Sequence, residues 1–287
     1  MRYRDHAVRN LPPTVPQTII TTRMLRGAGF DHRALAAEVA LGRIIRVRRG
    51  KFLPGGSHPV VVRAAELGTR VDCISLLRLC GVFVWESPRL HVQAAHGASR
   101  LPARPRDVVC HWRSAPADDG VLADLIDALV QSIRCHSPRA AIATLDSAWH
   151  LGLVSARDID EVFDRLPRRF QPLRGLLDPR GESGPESLVR LMLRILGCSF
   201  DLQVTISGVG RVDFVVEDWL IIECDSEAHH SSWAARKRDA RRDLVAAGLG
   251  YASIRLMAED ILYRPDDVQN ALREILTSPA RRPRRQP

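Results

Sequence analysis

The clearest hydrophobic pattern lies in the last third of the chain. Apolar residues recur there at helical spacing, at Leu188, Leu191, Met192 and Ile195. This spacing predicts an amphipathic helix that buries one face. Ser183 offers a side-chain cap before the helix, Pro185 suits its first turn, and Gly197 ends it.

Three segments of alternating apolar and polar residues follow this helix. They read FDLQVTI, RVDFVV and WLIIECD, with turn residues between them, so they predict a three-stranded antiparallel meander. Because side chains alternate between the two faces of a strand, Asp213 shares a face with Val215, and Glu223 shares one with Asp225. If the strands align, these carboxylates converge, and Glu186 reaches them from the preceding helix.

A cluster of carboxylates at one point calls for a cation. Like charges repel, and one carboxyl group takes up a proton unless positive charge holds the group together. Carboxylate oxygens suit Mg²⁺ or Mn²⁺. Asp213 and Glu223 are therefore predicted metal ligands, assisted by Asp225 and Glu186. Two simpler interpretations stay open: the helix dipole alone favours an acidic residue in the first turn, and a single acidic residue at a strand end is usually a solvated rim residue.

A histidine pair and a basic helix come after these strands. His229 and His230 follow Glu223 closely, and a neutral imidazole there accepts a proton from the attacking water or donates one to the leaving oxygen. An ordinary loop histidine is the alternative. The helix predicted from about 233 to 247 carries three candidate DNA-phosphate contacts: Arg238, Arg241 and Arg242. A solvated basic face is the other interpretation of that helix.

The front of the chain predicts two short helices followed by a basic hairpin. Thr21 or Thr22 caps the first helix and Asp31 the second, and RIIRVRRGKFLPGG alternates apolar and basic residues around Gly50. This order is typical of a winged helix-turn-helix, which binds DNA through one helix and its wing. The predicted DNA contacts in the wing are Arg46, Arg48, Arg49 and Lys51. A small capping subdomain with a solvated basic face is the alternative.

The whole chain then divides into six predicted segments of an α/β (α+β) protein. Short strands and three helices are expected between the front and the last domain. The segments are a flexible leader (1–16), a winged helix-turn-helix (17–60), a small α/β extension (61–118), a helical connector (119–180), the carboxylate-bearing αβββαβ domain (181–277) and a basic disordered tail (278–287).

The charge balance favours a polyanionic partner. The formal net charge is +9 and the sequence pI is near 9.9, and lysine and arginine that neutralise phosphates release condensed counterions. DNA is the expected partner. Aromatic residues make up 5% of the chain, which is too few for an extensive stacking platform for single strands. RNA is therefore a less favoured substrate than DNA, although it stays an open alternative.

The sequence also predicts a soluble, cytoplasmic protein without a membrane partner. No apolar signal-peptide region follows the basic start, and no segment is apolar enough to span a bilayer. The cysteines lack the close CxxC pairs of a structural zinc site, so reduced, buried thiols are expected at Cys73, Cys80, Cys110, Cys135, Cys198 and Cys224.

The last domain resembles the PD-(D/E)xK nuclease superfamily, close to the very-short-patch repair endonucleases. The resemblance covers about residues 183 to 262. It rests on a helical Glu186, Asp213 on the second strand, the E-x-D pair Glu223 and Asp225 followed by His229, a D-x-x-R from Asp239 to Arg242, and Gly250-Tyr251 leading to Arg255. It implies a restriction-endonuclease-like fold, divalent metal and cleavage of DNA.

Two residues depart from the pattern of that family. Ser226 stands where the branch usually has glycine, which leaves a distorted or weakened site open. Asp225 stands where the wider superfamily has its catalytic lysine, as is normal for the branch, and this shifts proton transfer to His229. Residues 18 to 55 resemble the winged-helix domain of abortive-infection type IV antitoxins, which implies regulation of a toxin partner.

Two hypotheses from different classes follow. The first is a Mg²⁺- or Mn²⁺-dependent DNA endonuclease whose winged helix holds the duplex; repair, defence and mobile-element maintenance all stay open as its role, with a repair, defence or toxin partner. The second is a non-catalytic DNA-binding regulator or antitoxin whose nuclease-like domain is a binding module. Monomer and homodimer are both compatible with the sequence.

Overall fold

The computed structural model describes residues 10–85, 87–99, 101–225 and 233–278. The chain separates into two compact units, Met1–Ser137 with Leu151–Arg174 and Pro138–His150 with Gly175–Pro287. Within the described ranges, no helix is both long and apolar enough to cross a membrane. Several sequence predictions lie outside those ranges: the start of the leader, Ser226, His229, His230 and all but the first residue of the basic tail.

Helices and strands alternate along the described part of the chain. The helices are α1 (Thr22–Gly27), α2 (His32–Ala40), α3 (Pro59–Glu66), α4 (Cys73–Leu79), α5 (Leu125–Cys135), α6 (Pro138–His150), α7 (Ala156–Asp164), α8 (Gly184–Leu196), α9 (Trp233–Gly248), α10 (Ala258–Tyr263) and α11 (Pro265–Thr277), with a 3-10 helix at Arg168–Leu176. The strands are β1 (Ile20–Thr21), β2 (Ile44–Arg48), β3 (Lys51–Pro54), β4 (Arg70–Val71), β5 (Leu90–Ala95), β6 (Val108–Arg113), β7 (Phe200–Ile206), β8 (Gly210–Val216), β9 (Leu220–Asp225) and β10 (Ala252–Met257). This mixture of helices and open sheets agrees with the predicted class.

The first unit begins with the two helices and the hairpin that the sequence predicts. Thr21 caps α1 by accepting from the Met24 N–H at 3.3 Å, and Asp31 caps α2 by accepting from the Ala34 N–H at 2.7 Å. The hairpin strands β2 and β3 are antiparallel, and β1 adds to β3. The small core beneath them contains Leu25, Leu35 and Phe52. These elements are confirmed, while their identification as a winged helix stays a prediction.

The described end of the predicted leader is packed against the first unit. Val15 is buried, and the His58 N–H donates to the Thr14 carbonyl at 2.8 Å. Flexibility was therefore the wrong expectation for this stretch, because an apolar side chain there finds a place in the core.

A second small sheet follows in the first unit. Strand β4 pairs antiparallel with β5, and β5 pairs parallel with β6, so both strands predicted between 90 and 113 are confirmed. The helices of the predicted connector also form, as α5, α6 and α7. They are divided between the units, because α6 belongs with the second unit while α5 and α7 belong with the first.

The second unit contains a four-stranded sheet in the order β10-β9-β8-β7. The predicted meander is confirmed, since β7, β8 and β9 pair antiparallel in turn, and β10 adds parallel to β9. Helix α8 precedes the meander and is capped by Ser183, whose hydroxyl accepts from the Glu186 N–H at 3.3 Å. Gly197 ends the helix with φ at 72°, a left-handed conformation that suits glycine.

The prediction of an apolar stripe along α8 is only partly confirmed. Leu188, Leu191 and Met192 are buried, but Ile195 is 59% exposed. Helix α8 is buried all round from Gly184 to Leu193 and exposed beyond, so burial follows position along the helix more than position around it.

A fully buried ion pair joins α8 to α6. Arg190 donates to the Asp146 carboxylate at 2.6 Å, and neither side chain is exposed. The same guanidinium donates to the Leu176 carbonyl at 2.6 Å, and the second oxygen of Asp146 accepts from the Asp178 N–H at 2.8 Å. These bonds offset the cost of removing both charges from water, and breaking one partner leaves the other charge uncompensated.

We expect Asp146→Ala to destabilise the second unit by about 3–5 kcal/mol, because it strands the buried Arg190 charge. Arg264→Ala is the control: it removes an exposed ion pair with Asp260 and costs about 1 kcal/mol or less. Urea denaturation followed by circular dichroism measures both. Equal effects of the two substitutions would show that the buried pair does not hold the helices together.

Candidate active site

The sheet of the second unit brings two acidic side chains opposite each other. Phe214 pairs with Ile222 and Val215 with Ile221, and continuing this register by one residue places Asp213 across from Glu223 on the same face. The Cys224 N–H donates to the Asp213 carboxylate at 2.8 Å. The two residues expected to bind metal are therefore neighbours on β8 and β9.

Glu186 reaches the same region from the first turn of α8. Its side chain is almost completely buried. One carboxylate oxygen accepts from the Glu182 N–H at 2.9 Å and from the Gln203 side-chain amide at 2.8 Å. The Gln203 amide nitrogen also lies 3.5 Å from an oxygen of Asp213. A neutral side chain thus links the buried carboxylate of Glu186 to the partly buried carboxylate of Asp213, which repel each other.

Gln203 is a site residue that the sequence did not reveal. The flanking pairs Leu202 with Phe214 and Val204 with Val212 place it opposite Asp213. Its backbone is left-handed, with φ at 55°, which is uncommon for a residue other than glycine. Its side-chain oxygen is buried without a hydrogen-bond partner among the described residues. Only the register of β7 against β8, which the alternation pattern does not give, would have identified it.

Burial makes the carboxylates of this site costly to ionise. It raises the pKa of Glu186, of Asp213 and of Glu223 above the usual values. The charge of Asp213 adds to this effect on the pKa of both glutamates. A bound cation would relieve both the burial cost and the repulsion.

Arg242 of helix α9 faces the sheet. It donates to the carbonyls of Val209 and Arg211 at 2.9 and 2.8 Å and to the Glu223 carboxylate at 3.1 Å. Of the three arginines expected to meet DNA phosphates, this one holds a site carboxylate. The other two, Arg238 and Arg241, are exposed on α9.

Asp225 lies at the rim of the site. It is the last residue of β9, and its side chain is 46% exposed. Arg255 lies 3.9 Å from it and donates to both oxygens of Asp243, at 2.8 and 3.0 Å. Asp225 is therefore less buried and less constrained than Asp213. In the part of the chain that the structure describes, no three site carboxylates bring one oxygen each within 4.8 Å of one another.

The predicted DNA contacts of the first unit lie on its hairpin. Arg46 and Arg49 are exposed, whereas Arg48 is half-buried. Lys51 lies 3.4 Å from the carboxylate of Asp119. The structure thus leaves three of these four cations exposed: Arg46, Arg49 and Lys51.

A comparison with family models identifies the class of this domain. Residues 186–276 match a restriction-endonuclease-like family, described as REase_MTES_1575. The match begins at Glu186 and runs through the four-stranded sheet into α11. No curated protein matches the chain. The second unit thus contains a restriction-endonuclease-like domain, a class that suggests nuclease-type function.

We expect Glu186→Gln to stabilise the metal-free protein increasingly as the pH rises. The pKa of Glu186 is raised in the folded state, so the wild type loses stability as the pH rises through that pKa, and the neutral glutamine does not. Thermal unfolding in EDTA between pH 4 and pH 8 measures the difference. Glu274→Gln, at an exposed position of α11, is the matched control. A difference that stays constant with pH would contradict the burial of an ionisable carboxyl group at Glu186.

Proposed function

We propose that the second unit is a Mg²⁺- or Mn²⁺-dependent endonuclease that hydrolyses phosphodiester bonds of DNA. The pairing of Asp213 with Glu223 on one face of the sheet carries this proposal. Both side chains are partly buried, and burial raises the pKa of each. Packing of the hydrophobic core does not require an acidic residue at either position. We assign assisting roles to two further residues. Glu186 is buried in the first turn of α8, and Asp225 lies at the rim of the site.

The side chains present fit a hard divalent cation. All of the donors are oxygens, as Mg²⁺ and Mn²⁺ prefer. Asp213 and Glu223 supply the charge, and the buried side-chain oxygen of Gln203 lacks a partner among the described residues. A cation held there would satisfy this oxygen and offset the repulsion between carboxylates.

In the proposed reaction, the protein positions the acidic side chains through hydrogen bonds. Asp213 and Glu223 would hold the divalent cation, which would lower the pKa of a water molecule and polarise the phosphate. The Cys224 N–H orients Asp213, and Arg242 orients Glu223. Glu186 fixes the Gln203 amide beside Asp213. His229 lies outside the described residues. We assign proton transfer to it because of its place in the sequence pattern.

Several positive surfaces are available for DNA. Arg238 and Arg241 are exposed on the helix that carries Arg242, and phosphate contacts supply much of the affinity for DNA. We further propose that the first unit binds duplex DNA through its hairpin, as a winged helix does. Arg46 and Arg49 would contact phosphates there. The resemblance to very-short-patch repair enzymes makes mismatched duplexes the first substrates to test.

We expect Asp213→Asn to lower cleavage at least about 100-fold, because removing a ligand forfeits several kcal/mol of metal-assisted catalysis. Supercoiled plasmid and mismatched duplexes are incubated with Mg²⁺, Mn²⁺ or EDTA, and nicking is followed on gels. Asp218→Asn is the control: it makes the same change in the exposed turn between β8 and β9, where φ is 60° and asparagine is tolerated. The control should cleave like the wild type.

The regulator hypothesis makes the opposite prediction. If wild type and Asp213→Asn bind DNA equally and neither cuts any substrate with any metal, the domain is a binding module and the endonuclease proposal fails. Binding measured in the same experiment tests the hairpin: substituting Arg46 and Arg49 by alanine should lower affinity and flatten its salt dependence. A toxin partner belongs to the regulator hypothesis.

A further inference from the structure

Four metal-ligating side chains meet in the first unit, outside the nuclease-like domain. Cys73 begins α4, His91 lies on β5, His111 lies on β6, and Cys135 ends α5. One ligand atom from each lies within 4.8 Å of all the others. Two thiols and two imidazoles form the S₂N₂ set that is typical of tetrahedral zinc.

The measured separations agree with a tetrahedral site. The His91 Nδ1 and His111 Nε2 atoms are 3.1 Å apart, and the Cys135 Sγ lies 3.8 Å from the same His111 nitrogen. Zinc bound at its usual distances places two nitrogens about 3.3 Å apart and a sulfur and a nitrogen about 3.6 Å apart. These two pairs differ from the zinc values by only a few tenths of an ångström, and all four ligand atoms lie within 4.8 Å of one another.

The fold itself assembles the four groups. Strands β5 and β6 pair in parallel with His91 opposite Val109 and Gln93 opposite His111, so both histidines lie on the same face of the small sheet. Helices α4 and α5 pack together, and α4 packs on β5. The start of α4 and the end of α5 then deliver Cys73 and Cys135. Cys73 and His91 are buried, whereas Cys135 is exposed, which leaves an entry path for an ion.

Neighbouring polar groups support this arrangement. The Gln131 side-chain amide donates to the Cys135 sulfur at 3.4 Å, as outer groups do around metal-bound thiolates. Cys73 adopts a left-handed backbone, with φ at 52°, a strained conformation that needs support from its surroundings.

We propose that the first unit binds one Zn²⁺ through Cys73, His91, His111 and Cys135. Four protein ligands leave no position for water or substrate, which makes the site structural. The ion would join the small sheet to the two helices that pack on it. The sequence predicted reduced, buried thiols. Cys80 is buried as predicted, but Cys135 is exposed. Cys73 and Cys135 also lie close together in space. The ligands come from four separate elements, so no close pair marks the site in the sequence.

The test begins with metal analysis of the full-length protein, purified without chelator from a zinc-supplemented culture. We expect about one zinc per chain in the wild type, in keeping with a closed four-ligand site. Cys135→Ser and His111→Ala should lose most of it. Cys110→Ser is the matched control, because Cys110 is the residue before His111 on β6 and alternation places it on the other face.

Cobalt then identifies the ligands independently of the nuclease-like site. Co²⁺ added to zinc-free wild type should give intense visible bands and a thiolate charge-transfer band, both absent in Cys135→Ser and present in Asp213→Asn. If a variant does not fold, the thermal midpoint of the wild type with zinc removed and restored replaces it, and a clear rise on zinc addition is expected. Absence of zinc and of the thiolate band from the wild type, or equal zinc in wild type, Cys135→Ser and His111→Ala, overturns the proposal.

Discussion

The buried ion pair between Asp146 and Arg190 fixes the helix on which the candidate active site depends. Arg190 lies one turn after Glu186 on α8, so whatever anchors Arg190 also sets where Glu186 meets the sheet. Asp146 comes from α6, a segment that precedes the family match by some distance along the chain. The domain defined by residues 186–276 therefore relies on a helix outside it, and the second unit is larger than the matched segment.

The carboxyl groups of the candidate site reduce the folding stability of the second unit. Three carboxyl groups of this site, those of Glu186, Asp213 and Glu223, have raised pKa values, and each costs free energy to ionise away from water. The structure offsets part of this cost with the Gln203 amide, the Cys224 N–H and the Arg242 guanidinium. A divalent cation bound there would relieve the remaining cost, which would couple metal binding to the folding stability of this unit.

Sequence periodicity predicted the elements and much of the site, but not the contacts that depend on register or on distant segments. Alternation along β8 and β9 predicted that Asp213 and Glu223 converge if the strands align, and the cap at Ser183 located Glu186 in the first turn of α8. Gln203 was missed because its role depends on the pairing of β7 with β8. The Cys and His cluster was missed because four separate elements supply it. Arg242 was predicted to contact DNA phosphates, and its hydrogen bond to Glu223 was missed, since the packing of α9 on the sheet is not a local property.

Equilibrium binding of Mn²⁺, followed by electron paramagnetic resonance of the free ion, tests the central claim most directly. Mn²⁺ prefers oxygen ligands, so the Cys and His cluster should not compete for it. We expect wild type and Asp218→Asn to bind Mn²⁺ at pH 8 and Asp213→Asn to lose the site. Binding should weaken as the pH falls, because protons compete for the carboxylates. Equal binding by wild type and Asp213→Asn, or no binding by the wild type, would contradict the central claim.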